Sequence, residues 1–96
     1  MEFLVIAYDG KDPQAKERRL NARPAHLENV QRMKQEGSFI NGGAILDDQG
    51  EMIGSTLYVD FPSRDALNYW LATDPYVTGG VWVDVKVKPI RLALRS

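Results

Sequence analysis

The sequence has no cysteine and a single histidine in 96 residues. Without cysteine there is no disulfide framework, no iron–sulfur cluster and no thiolate zinc site. One histidine and no clustered carboxylate motif leave too few ligands for a metal held by protein groups alone, so none is expected. Neither sign of charge is in excess: 12 basic residues stand against 13 acidic ones, for a net charge of −1. A nucleic-acid partner would need a concentrated basic surface, so that class is excluded. The glycine pairs Gly42-Gly43 and Gly79-Gly80 lie outside any G-x-G-x-x-G or P-loop pattern, and no cofactor is expected. The apolar run Phe3–Tyr8 is far too short to span a bilayer. Glu2 also stands where a secretory signal would be basic. The expectation is a soluble, cytoplasmic protein with no membrane partner.

What is present reads as one domain over residues 1–96, with 44% hydrophobic residues to form its core. Phe3–Tyr8, closed by Asp9-Gly10, has the length and flanks of a strand covered on both faces. Asp12-Pro13 has the form of a helix N-cap followed by proline at the first helical position. Pro24 interrupts the charged segment that follows, so a break is expected at residues 21–23 and a restart that runs to Glu36, before Gly37. At 100° per residue Leu27, Val30 and Met33 form one stripe of that second piece. His26 falls between Val30 and Met33 and so points inward. Ser38–Leu46 is a strand weakened by two glycines, which mark a bulge or a close approach. Asp47–Gly50 makes a hairpin connection, and in the next strand Ser55, Leu57, Val59 and Phe61 share a face.

Ser63 caps a second helix whose buried stripe is Leu67, Trp70 and Leu71. One more turn reaches Asp74, although Pro75 ends the helix before it. In the last strand Val81, Val83, Val85 and Val87 alternate with Trp82, Asp84, Lys86 and Lys88. The order β-α-β-β-α-β is the ferredoxin-like split arrangement, an α+β fold. Two helices cover only one face of such a sheet. The other face would expose either the valine row or Trp82, and a second copy packed sheet to sheet would cover it, giving a homodimer.

These residues carry a resemblance. Arg19-Leu20, Arg23-Pro24-Ala25-His26-Leu27, Glu36-Gly37, Gly54-Ser55, Asp74-Pro75-Tyr76-Val77 and Gly80-Val81, in this order, resemble the YciI-like (YCII-related) family over nearly the whole chain. The resemblance implies a dimeric α/β barrel and a pocket with a His–Asp pair, here His26 and Asp74. One relative is associated with dehydrochlorination of a chlorinated hydroxyquinol, and muconolactone isomerases share the wider fold. Fold kinship of that kind says little about the reaction.

Each candidate has two readings. His26 is the one side chain whose type ordinarily titrates near neutrality. It is either a packed imidazole satisfied by hydrogen bonds or a general base oriented by Asp74. Asp74 is that partner, or a simple cap for a turn through Tyr76, or both. Arg23 and Arg19 either orient an anionic substrate or lie on a solvated helix face, the latter favoured for Arg19. Ser55 makes a pocket hydrogen bond or a local one, and no nucleophile elbow surrounds it. Tyr76 lines the pocket or packs in the core, and Trp70 and Trp82 are packing residues. The functional expectation is a small-molecule enzyme, of lyase, isomerase or dehydrochlorinase type, acting on a small anionic or phenolic substrate. A non-catalytic ligand-binding module is the alternative. Use of His26 as an axial haem ligand is a third reading.

Overall fold

The computed structural model describes residues 1–95. Its elements are β1 (Glu2–Asp9), α1 (Ala15–Glu36), β2 (Phe39–Leu46), β3 (Met52–Asp60), α2 (Arg64–Thr73), α3 (Pro75–Thr78) and β4 (Trp82–Ile90). The four strands form one antiparallel sheet in the order β2-β3-β1-β4. This is the expected α+β ferredoxin-like arrangement, with one added helical turn, α3.

The core lies between the sheet and the helices. Phe3, Val5 and Ala7 of β1 and Leu57 and Val59 of β3 meet Met33, Leu67, Trp70 and Tyr76 from the helical layer. The face expected for β3 is the covered one, since Ser55, Leu57 and Val59 are buried while Tyr58 is exposed. Among the described residues, no helix is long and apolar enough to cross a membrane.

Three expectations need correction. First, α1 runs unbroken through Pro24. Proline removes one ladder bond, to the Leu20 carbonyl, and costs about 3 kcal/mol in a helix interior. Both Pro24 and Leu20 are exposed, so water can take that carbonyl. The buried stripe Ala15, Arg19, His26 and Met33 holds the helix on either side. The start of the helix also shifts: Asp12 accepts from the Gln14 N–H in a turn that precedes Ala15. Second, Leu27 is 46% exposed rather than part of a buried stripe. The inward stripe is centred on His26 itself.

Third, the alternation of β4 does not persist along the strand. The β1–β4 register shifts between Tyr8 and Asp9, so that Asp9 faces Trp82 while Ala7 faces Val85. Residues opposite one another share a face. Trp82 therefore joins Val85 and Val87 on the helix side, and Val83 is left as the extra residue, 65% exposed. The open face accordingly carries neither the full valine row nor Trp82. By register it carries Leu4, Ile6 and Tyr8 of β1 with Thr56 and Tyr58 of β3, flanked by Lys86 and Lys88.

Candidate active site

Five elements each deliver a side chain to one end of the covered face. The helix α1 contributes Arg19 and His26, seven residues and two turns apart, so both point at the sheet. Asp9 stands at the end of β1, Ser55 in β3 and Trp82 at the start of β4. The junction of α2 and α3 contributes Asp74 and Tyr76.

The two stretches that carry His26 and Asp74 meet. His26 Nδ1 lies 2.8 Å from Asp74 Oδ1, and the two residues are 6% and 0% exposed. The same Oδ1 accepts the backbone N–H of Tyr76 at 2.9 Å, and Oδ2 accepts the Asn29 amide at 3.3 Å. Asp74 is thus both the partner of His26 and the N-cap of α3. A carboxylate that only accepts requires Nδ1 to donate, which leaves Nε2 of a neutral ring as the acceptor. Nε2 has no hydrogen-bond partner among the described residues, nor is it among their sealed polar atoms, so it opens outward. The ring is clamped by Tyr76, stacked at 3.8 Å between centroids with planes 11° apart, and by the edge of Trp82 at 5.6 Å.

A second buried network adjoins the first. Arg19 Nη1 donates to both carboxylate oxygens of Asp9 at 2.9 Å, and Nη2 donates to Ser55 Oγ at 3.1 Å. The Trp82 indole N–H donates to the same Oγ at 3.2 Å. The Arg19 guanidinium also lies 4.8 Å from the Tyr76 ring centroid, a cation–π contact that ties the two networks together. Tyr76 is 1% exposed and its hydroxyl has no partner among the described residues. Burial raises its pKa; the charges of Arg19 and Arg23 oppose the shift, and Arg23 falls short of hydrogen-bond geometry. The phenol is therefore neutral at ordinary pH and can donate.

A cleft of about 140 Å³ opens between α1 and the sheet, lined by His26, Arg19, Arg23, Ser55 and Tyr76 with Leu27 and other apolar residues at its walls. Gly42 forms part of its floor, where an added Cβ would run into the Thr56 carbonyl oxygen. Arg23 touches the Met52 sulfur at 3.1 Å and has no acidic partner among the described residues, so it offers the cleft an uncompensated positive charge. Among those residues no group of three His, Asp or Glu side chains could hold a metal.

All five residues expected at the site line the cleft or, as with Asp74, directly support it. The reading of Arg19 as a solvated residue is wrong: it is 3% exposed and paired with Asp9. Asp9 was not anticipated, and Trp82 does more than pack. The signal for Arg19 lay in its spacing, since it stands two turns before His26 on the same stripe.

Comparison with known proteins agrees with this fold. The YCII-related domain model matches residues 1–91. Protein YciI of Escherichia coli is 36% identical over 97 residues, covering 95% of this chain and 97% of its own. An uncharacterized Haemophilus influenzae protein is 33% identical over the same span. Among solved structures, the 5-chloro-2-hydroxyhydroquinone dehydrochlorinase TftG of Burkholderia phenoliruptrix AC1100 superposes with a TM-score of 0.82. It is 25% identical, with 95% of this chain and 94% of that one covered. An antibiotic biosynthesis monooxygenase at 17% identity and a TM-score of 0.53 shares the fold, the dimeric α/β barrel type. The chain belongs to the YCII-related domain family.

Proposed function

We propose that this protein is a small-molecule enzyme in which His26, held by Asp74, removes a proton from a small anionic or phenolic substrate. The observation that carries the reading is the asymmetry of the imidazole: Nδ1 is committed to Asp74, and Nε2 is free beside the cleft. Nε2 takes a proton from a carbon or hydroxyl of the substrate, and the electron pair stays behind as an enolate or phenolate. Where the substrate carries a leaving group, that pair expels it as an anion. The proton rests on the imidazolium, which Asp74 stabilises, until solvent or product takes it.

Several features support the substrate class. The cleft is close in size to an engineered cavity of about 150 Å³ that takes up benzene, so one ring fits. Arg23 offers a cation, Ser55 offers a hydroxyl, and Tyr76 adds to the wall. The dehydrochlorinase whose fold this chain shares was solved with 2,5-dihydroxybenzoquinone, which favours an oxygenated ring. The proposal includes a homodimer formed through the open sheet face, where Leu4, Ile6, Tyr8 and Tyr58 need cover.

The test compares wild type with His26→Gln and His26→Ala in a screen of small halogenated, hydroxylated and lactone acids. Loss of turnover by a factor of about 10² to 10⁴ with binding retained is the expected result. Unchanged turnover in a folded variant would remove the general base. The second reading is a non-catalytic ligand-binding module, favoured by the dual use of Asp74 as a cap. It predicts that ligands bind and leave unaltered.

A further inference from the structure

We infer that the buried Asp9–Arg19 pair positions Ser55 as a one-way hydrogen-bond donor, so that the cleft selects ligands presenting an ionised oxygen. The inference rests on the reading of this cleft as a substrate site and adds what sets its preference.

A serine hydroxyl has one proton and two lone pairs. Here both lone pairs are engaged, by Arg19 Nη2 at 3.1 Å and by the Trp82 indole at 3.2 Å. Neither neighbour can accept, because guanidinium and indole N–H groups only donate. No acceptor for the Ser55 proton exists among the described residues, and Ser55 lines the cleft. The proton is therefore left for whatever occupies the cleft. Arg19 cannot swing away to release it, since Asp9 holds Nη1 through two bonds and both residues are buried.

Other unpartnered donors lie around the cleft. The Tyr76 hydroxyl, sealed within the wall and kept neutral by burial, has no partner among the described residues. Arg23 reaches the cleft as a cation with no acidic partner among the described residues, and the sealed Arg19 Nε has no hydrogen-bond partner among them. At the cleft surface Ser55 and Arg23 are donors, and the free acceptor beside them is Nε2 of His26. A neutral hydroxyl meeting Ser55 and Arg23 would have to accept twice and could pass its own proton only towards His26 Nε2. An oxyanion accepts from both without conflict, and hydrogen bonds to charged partners are the stronger kind.

4-Nitrophenol tests this directly, because its neutral and ionised forms differ in colour and both fit a one-ring cleft. Wild type is expected to bind the phenolate in preference to the phenol, so that bound probe ionises at lower pH than free probe. Ser55→Ala should weaken phenolate binding about tenfold or more while changing phenol binding little. Arg19→Lys should do the same, because lysine keeps the charge but cannot hold Asp9 and Ser55 together. A purely structural Arg19 would instead weaken both forms equally. Preference of folded wild type for neutral phenol, or phenolate binding by folded Ser55→Ala equal to wild type, would overturn the inference. Neither result touches the general-base proposal, which is judged by turnover in the His26 variants. If Arg19→Lys fails to fold, Ser55→Ala carries the test alone.

Discussion

At the scale of single residues, Asp74 is asked to do two things with one carboxylate, and two substitutions separate them. Asparagine caps helices about as well as aspartate, whereas alanine costs about 1 kcal/mol or more. Asp74→Asn is thus expected to keep most of the stability, and Asp74→Ala to lose clearly more in urea unfolding. On the proposed mechanism turnover should fall in both, because neither would retain the negative charge that stabilises the imidazolium. Tyr76 makes the second prediction. Its folded pKa is raised by burial, so its contribution is complete below the unfolded value of about 10 and declines as pH rises through the folded one. Stability should fall above about pH 10, and Tyr76→Phe should lessen that fall. Tyrosinate absorbance should report one of the four tyrosines ionising above the ordinary tyrosine range. At this scale the sequence was partly legible. A lone histidine on an apolar stripe and an Asp-Pro-Tyr after a helix both advertise themselves. Asp9 and Arg19 did not, because each alone resembles a turn residue or a solvated charge, and only long-range pairing makes them buried.

At the scale of elements, local rules and packing disagree over Pro24. Its ring and missing N–H predict a broken helix; the stripe of Ala15, Arg19, His26 and Met33 keeps one axis. Pro24→Ala should therefore restore the bond to the Leu20 carbonyl and stabilise the protein by roughly 1–3 kcal/mol. Thermal unfolding measures the gain, and ligand binding should not change. The strand β4 shows a different limit of sequence reading. Its period of two is plain, but the shift opposite Tyr8 and Asp9 depends on the partner strand, which periodicity within β4 does not contain. That shift brings Trp82 to Ser55 and His26, so a residue read as packing became part of the site.

At the scale of the whole molecule, element order alone yields the sheet topology, because antiparallel hairpins and two covering helices leave few alternatives. The open face then bears on assembly. Ile6→Lys places a charge amid Leu4, Tyr8 and Tyr58, and is expected to yield monomers in sedimentation while wild type sediments as a dimer. The cleft has a related dependence on the complete fold. The helix α3 spans four residues, too few to persist alone, and is held by the Asp74 cap and by the Val81 N–H on the Tyr76 carbonyl. The remaining site groups come from β1, α1, β3 and β4, so the cleft has no assembled form in a partly unfolded chain. A true ligand must then act as a ligand of the native state only. At a hundredfold excess over its Kd it adds about 2.7 kcal/mol of stability. At about 4–8 °C per kcal/mol for a domain of this size, melting temperature becomes a means of finding the substrate before any reaction is known.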